Sequence, residues 1–404
     1  MSALTFLEKQ EAKKAAARRQ RVNSAKPADS NDVRQIVVQK QTANGVVPGV
    51  VKNTVSVAKN IVAAAISSGM KIDIDLETQI LGQLMDNTLK ITVNNTTDAD
   101  ITCPKLSQEM ITSIKILCND GNTQICELTK ETLMYPMRFL DQSTLARIKR
   151  GYESDEDEVI ASGASRTWYI PLIADPFAIN EVFMQAVQGR LVYKVEFDKG
   201  AWVDGHPVLT ELSMYSRHLY YDMAVMEARK NADMQMIRNY NFRSYVAKNP
   251  SKIITAGANL EVNLDGFANK RASELILQLW KNGQHLVDFG QYIDSYDITD
   301  AGNTSLIASG PIDSVYDDVV LSAVHDYEPV IGTTRDSWTV ISFSPSMAAD
   351  FNSGESHGQR LFTGKEILKL KISASLPDSS YQLRIYYGEL NKMKSAGGVF
   401  SLTE

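Results

Sequence analysis

Short runs in which apolar and polar residues alternate dominate this chain. Leu89-Lys90-Ile91-Thr92-Val93-Asn94 is one; Ile114 to Leu117, Leu191 to Phe197, Ile367 to Ile372 and Leu383 to Tyr387 are others. A period of two puts one side of each segment in a core and the other in water, which predicts half-buried β-strands. Helical periodicity is rare. It appears once in the body, where Asp175-Pro176 supplies an N-cap and an N1 proline, Ile179, Phe183, Ala186 and Val187 share a face, and Gly189 stands as the terminator. It appears again over residues 4–21, which are rich in Ala, Leu, Glu, Gln, Lys and Arg and hold no Gly or Pro. Between these lies Val33 to about Val62, rich in Val, Asn, Gly and Ala, which suits an extended strap.

The alternating runs recur in order. Leu89 finds a partner at Leu260. The Ile114 strand, ending in Asn119-Asp120-Gly121, finds one in Leu275 to Trp280, ending in Lys281-Asn282-Gly283. Asp-Gly and Asn-Gly are favoured central pairs of a type I′ hairpin turn. Trp168 pairs with Trp338, Val192 with Leu368, and Tyr220 with Tyr386. The shifts fall between 162 and 176 residues. Colinear order is what makes these landmarks informative, and it predicts two copies of one β-domain. Each copy has roughly eight strands and long excursions (Asn119–Ser165, Asp294–Asp336), which suits a jelly roll of two packed sheets. The expected fold is therefore all-β: two tandem eight-stranded jelly rolls with short FG-type helices and a basic N-terminal helical arm. The expected boundaries are 1–45 for arm and strap, 46–230 for the first roll and 231–404 for the second.

Composition fits this. The chain has 404 residues, 44% hydrophobic and 22% charged, which suits two folded domains and excludes bulk disorder. No apolar run reaches the roughly 18 residues that span a bilayer, and lysines follow the start too soon for a signal peptide, so the sequence reads as neither secreted nor membrane-spanning. The net charge of −6 is unevenly placed. Residues 1–26 hold Lys9, Lys13, Lys14, Arg18, Arg19, Arg21 and Lys26 against Glu8 and Glu11. That segment is a basic arm on an acidic body, suited to an anionic surface or to solvation as a tail.

Candidate chemistry is sparse. Cys103, Cys118 and Cys126 match no zinc spacing and read as reduced, buried side chains. His206, His218, His285, His325 and His357 form no metal motif, and no G-x-S-x-G surrounds a serine. Ser162-Gly163-Ala164-Ser165 reads as a loop. Asp155-Glu156-Asp157-Glu158 lacks the calcium-loop pattern and reads as a solvated loop. Asp73 and Asp75 share one strand face and should meet solvent. Trp168, Tyr169, Tyr215, Tyr220, Tyr221, Tyr386 and Tyr387 read as sandwich core, while Trp202 and Trp280, near turns, suit an interface. No catalytic, cofactor or metal residue is expected, and neither is enzymatic activity or sequence-specific nucleic-acid binding.

Three features carry a family resemblance. They are Met70-Lys71-Ile72-Asp73-Ile74-Asp75 leading to the Leu89 strand, Trp168-Tyr169-Ile170-Pro171-Leu172 with its helix and Leu191-Val192-Tyr193-Lys194-Val195-Glu196-Phe197, and the basic N-terminal helix before Arg34-Gln35-Ile36-Val37. In layout the chain resembles the double jelly-roll major capsid proteins of tailless icosahedral bacteriophages with an internal membrane, the tectivirus and corticovirus type. The acidic loop Glu153 to Glu158 departs from the family. The resemblance implies a homotrimer presenting six jelly rolls, tiled with neighbouring capsomers and with penton and minor capsid proteins into a shell around a lipid vesicle. It implies a place in the virion, and in host cytoplasm before assembly. The arm residues Lys9, Lys13, Lys14, Arg18, Arg19 and Arg21 would face the membrane. Two other readings are a minor coat or spike jelly-roll protein and a β-sandwich carbohydrate-active protein.

Overall fold

The computed structural model describes residues 34–42, 45–67, 69–102, 110–129, 132–133, 151, 159–198, 207–248, 252–281, 284–285, 292–302, 304–307, 339–343, 359–377 and 380–403. The N-terminal helix expected over 4–21, Cys103, Trp202, Trp338 and the acidic loop Glu153–Glu158 lie outside them.

The first half contains β1 (Arg34–Thr42), β2 (Gly45–Ala65), β3 (Lys71–Leu76), β4 (Gln83–Asn94), β5 (Ile101–Thr102), β6 (Ile111–Cys118), β7 (Thr123–Thr129), β8 (Val159–Ile160), β9 (Ser165–Pro171), α1 (Pro176–Ile179), β10 (Leu191–Phe197) and β11 (Val208–Tyr220). One sheet runs β1-β2-β11-β4-β9 and the other β3-β10-β6-β7, while β5 and β8 pair apart. Lettering the eight main strands B to I in chain order gives BIDG and CHEF, the pairing of a jelly roll. Then α2 (Met223–Gln235) leads into the second half, with β12 (Ile237–Lys248), β13 (Ile253–Ile254), β14 (Asn259–Asn263), β15 (Arg271–Lys281), β16 (Gln284–His285), β17 (Ile293–Thr299), β18 (Ser305–Ile307), β19 (Thr339–Ser342), β20 (Arg360–Leu361), β21 (Ile367–Ile372), β22 (Tyr381–Ala396) and β23 (Val399–Thr403). Its sheets contain the paths β12-β22-β15-β19 and β14-β21-β17-β18, the same order again.

Alternation produces this core directly. In β3, Ile72, Ile74 and Leu76 are buried while Lys71, Asp73 and Asp75 are exposed. Val195 on β10 lies between Ile72 and Ile114 and is fully buried. Leu370 on β21 is the equivalent centre of the second sandwich. Asp73 and Asp75 do meet solvent, paired with Lys194 at 3.6 Å and Arg190 at 2.7 Å.

Several sequence expectations change. The partner of the Leu89 strand is β15, not the Leu260 strand, which matches β3. The partner of β6 is β17, so the Leu275–Trp280 strand is no EF hairpin. Alternation marks a strand but not the sheet that owns it. Strand β17 runs into the expected Asp294–Asp336 excursion and β18 lies inside it. The turn after Cys118 spans four residues: Asn119, Asp120 and Gly121 all have positive φ, and pairing resumes at Thr123. The helix at Asp175 is one turn, with Phe177 N–H donating to the Asp175 side chain at 2.9 Å, and a 3-10 turn at Met184–Ala186 follows. Glu181, at φ 48°, breaks it before the expected face can form. The helix α2 carries little periodic apolar signal and was not anticipated. Trp168, Tyr386 and Tyr387 are buried, but Tyr169 is 42% exposed and Tyr215, Tyr220 and Tyr221 are half-exposed, because odd and even strand positions face opposite ways.

A polar network ties the first sandwich across its middle. The buried Asp175 carboxylate accepts from Asn87 Nδ2 at 2.6 Å and from the Tyr193 hydroxyl at 2.6 Å, and Ser216 Oγ donates to Asn87 Oδ1. Asn87 and Ser216 belong to the BIDG sheet and Tyr193 to the CHEF sheet. Burial pushes the Asp175 carboxyl above its usual range, against the pull of hydrogen bonds from Tyr193 and Asn87. Cys118 and Cys126 are free and buried nearby, as expected.

The sandwich register is testable at its centre. Val195→Asp or Leu370→Asp should abolish soluble folded protein, because each puts an unpaired charge in a dry core at a cost of several kcal/mol. Normal circular dichroism and melting of both variants would contradict the register.

His218 on β11 gives a pH prediction. It is fully buried, with Nε2 3.0 Å from Ser56 Oγ on β2, and burial pulls its pKa down to about 4. The unfolded chain then binds the proton more tightly between about pH 6.5 and 4, so stability is lost as pH falls through that window, by up to about 3 kcal/mol. In thermal melts from pH 7 to 4.5, wild type should lose more stability than His218→Leu. Parallel curves would show that His218 does not set the acid limit.

Candidate functional site

The two rolls are joined through the outer face of a sheet. Strand β15 is buried from Ala272 to Trp280. Leu275, Leu277 and Leu279 fill the second sandwich, while Ile276 packs with Val340, Tyr386, Tyr245 and Phe242 in the cluster that includes the first roll's core. Elements α1 and β7 of the first roll lie against β12, and β7 also meets β23. The Phe400 ring stands 5.2 Å from Phe177, and Asn180 Nδ2 donates to the Asn241 carbonyl at 2.9 Å. The tip of the β22–β23 hairpin is clipped to the first roll at Asn119, which also accepts from the Phe400 N–H at 3.2 Å, and at Gln188. Asn119 Nδ2 donates to the Phe400 carbonyl at 2.7 Å, and Gln188 N–H to the Gly398 carbonyl at 2.8 Å.

This joint holds an ion pair. Arg243 and Glu274 meet at 3.3 Å with side chains 4% and 0% exposed. Glu274 occupies the space above Gly388, where a Cβ would collide with its carboxylate. Burial, and then the Glu274 charge, raise the Tyr245 phenol well above its ordinary pKa. Trp280 is 3% exposed with the Arg384 guanidinium 3.8 Å from its ring centre, so the residue expected near an interface is sealed within the chain.

Among the described residues the matching face of the first roll has no second roll over it, though Gly151 lies against Tyr169. Both BIDG sheets carry a β-bulge between strands D and I, at Asp86/Leu84 opposite Arg217/His218 and at Ala272/Glu274 opposite Glu389/Gly388. Superposing the bulges sets Val55 against Tyr245, Thr88 against Ile276, Tyr215 against Tyr386 and Pro171 against Val340. In the second roll these positions are buried. In the first, Val55 is 55% exposed and Val57 beside it 48%. Tyr169 and Tyr215 meet edge to face at 6.1 Å, and Lys90–Glu211 and Arg217–Asp86 pairs flank them. Exposed valines and tyrosines framed by ion pairs have the composition of a surface that can take a protein partner. Sequence reasoning missed it because its members read as ordinary alternating positions.

The arm residues Lys9, Lys13, Lys14, Arg18, Arg19 and Arg21 lie outside the described residues. Their point of departure does not: Arg34 pairs with Asn53, which pairs with Leu219 at the end of β11. Among the described residues no group of His, Cys, Asp and Glu could hold a metal ion, and no helix is long and apolar enough to cross a membrane.

No family model and no curated protein matches this sequence. Solved structures do match the fold. PBCV-1 VP54, fitted into a reconstruction of the virophage Sputnik, superposes with a TM-score of 0.66 at 13% identity, covering 87% of this chain and 97% of that one. The Faustovirus major capsid protein gives 0.56 at 8% identity over 92% and 93%, and a chain of the Sputnik virophage structure gives 0.52 at 10% over 94% of each. The protein thus has the double jelly-roll fold found in viral major capsid proteins.

Proposed function

We propose that this chain is a major capsid protein whose homotrimers form pseudo-hexameric capsomers of an icosahedral shell. The observation that carries the proposal is the unequal cover on two equivalent sheet faces. Within the chain, the first roll covers the outer BIDG face of the second. The equivalent face of the first roll, at Val55, Val57, Tyr169 and Tyr215, has no cover of that kind among the described residues. A second copy can supply it by presenting its second roll as the first roll does internally. Such a contact is heterologous, and it closes into a ring when three chains, six rolls, have been joined. The role is structural, not enzymatic.

In this reading residues 46–230 and 231–404 are the two rolls and 1–45 the arm and strap. The shell is of the internal-membrane bacteriophage type, tectivirus or corticovirus. Its capsomers meet one another and the penton and minor capsid proteins, with the protein passing through host cytoplasm before it enters the virion. Lys9, Lys13, Lys14, Arg18, Arg19 and Arg21 supply attraction to anionic lipid, each basic residue near such a surface contributing about 1 kcal/mol.

Light scattering of capsomers should give about three times 44.8 kDa. The double variant Val55→Asp/Val57→Asp should release folded monomers, because both side chains are exposed within one chain and desolvated only between chains. A wild-type monomer at assembly concentrations would overturn the trimer, and a variant that stays trimeric would overturn this face as its interface.

A further inference from the structure

We infer that one end of the molecule, formed by α2 and the β12–β22–β23 tip, inserts shallowly into an anionic lipid surface. The inference rests on the capsid reading and adds a second membrane contact in the folded body, distinct from the arm.

The molecule has two unlike ends. At one, Tyr220 ends β11, α2 crosses over, and Ile237 begins β12. The turn between β22 and β23 lies there too, against Gln188. Large apolar side chains project from this end: Met223 is 86% exposed, Ile80 64%, Ile237 63% and Met236 52%, with Val225 and Val399 also exposed. Ile80 belongs to the group because the Tyr220 hydroxyl donates to its carbonyl. The most exposed positions of α2 are Met223, Ala224, Val225, Glu227, Ala228, Asn231 and Gln235, with Glu227 the one charge among them and Arg229 and Lys230 half-exposed.

The β-tip adds a vertical order. Ile237, Ala396 and Val399 are in register on three neighbouring strands and share a face. Lys394 lies one row back on that face, between Asn239 and Ser401, and Lys392 one row further, between Asn241 and Thr403. Each row is about 7 Å. An apolar tip with lysines one and two rows behind places the methyl groups below the phosphates and the ammonium groups among them.

Lipid is the occupant that the charge at this end favours. The chain enters β1 at Arg34 beside Leu219, so the segment carrying seven Lys/Arg against two Glu is tethered here.

The test is flotation of full-chain trimers with vesicles of equal phosphatidylglycerol and phosphatidylethanolamine, at 0.05 M and 0.5 M salt. The arm contributes by charge and fades at high salt, while apolar insertion persists. Met223→Ser/Val225→Ser/Ile237→Ser should lower the vesicle-bound fraction at high salt at least fivefold and leave trimer mass and melting unchanged. Lys13→Glu/Lys14→Glu/Arg18→Glu/Arg19→Glu should lower binding at low salt only. Undiminished high-salt binding by the serine variant overturns the insertion, as does loss of all binding in the arm variant. Wild-type trimers that fail to float at either salt overturn it too. Light scattering that shows no trimer refutes the capsomer reading itself, separately from the lipid contact.

Discussion

A strand buried on both faces has to be covered twice, and β15 meets that demand with residues of two kinds. Its leucines enter the second sandwich as in any half-buried strand. Glu274, Ile276, Gln278 and Trp280 point the other way and are buried as well. That second cover draws on the first roll, so the second roll's front sheet is completed by its neighbour. Removing the first roll would expose Ile276, Tyr386 and Val340 together and leave the Arg243–Glu274 pair at a wet surface. The two rolls are accordingly one cooperative object at this joint, and among the described residues the first roll's own front sheet shows the same face without such a cover.

The polar groups inside the two halves do different work. In the first roll, Asp175 caps α1 and accepts from both sheets, so one carboxylate fixes the turn and the sheet separation together. Its hydrogen bonds offset a desolvation that would otherwise be costly. In the second roll, Arg243 and Glu274 lie at the joint. A buried ion pair adds little net stability compared with apolar packing, but losing one partner strands the other. Such a pair therefore penalises a mis-seated joint more than it rewards a correct one, which suits a contact that must form in one register. Gly388 belongs to the same device, since only a residue without a Cβ leaves room for the Glu274 carboxylate.

Strands were legible in the sequence because burial on one face writes a period of two. The halves of the repeat were legible because order survives where identity does not. Sheet membership was not, since Leu89 and Leu260 carry the same alternation while sitting in opposite sheets of their rolls. The helix α2 was illegible for a related reason: it buries only Met226 and Asp233 and so leaves almost no apolar stripe. The turn at Asp175 was overextended because a cap and a proline announce where a helix starts but not how far it runs, and Glu181 ends it within one turn. The assembly face escaped notice for the opposite cause. Val55 and Val57 look like core residues of a strand, and only their exposure in the folded chain shows that they face outward.

Exposure of a similar kind, at the α2 end, has a different geometry. Val55, Val57, Tyr169 and Tyr215 lie on a flat sheet flanked by ion pairs that can re-pair across an interface, a surface that rewards a rigid, complementary partner. Met223, Met236 and Ile237 stand at the end of the molecule, beside a helix whose most exposed positions hold one charge, Glu227. A fluid surface conforms to such an end and charges no register for it. In the proposed assembly the two exposed apolar regions have different directions, one across the sheet toward another copy and one along the strands toward lipid. A tile that must both join a ring and sit on a curved support needs that division, since the ring contact must be exact in angle while the support contact must tolerate tilt.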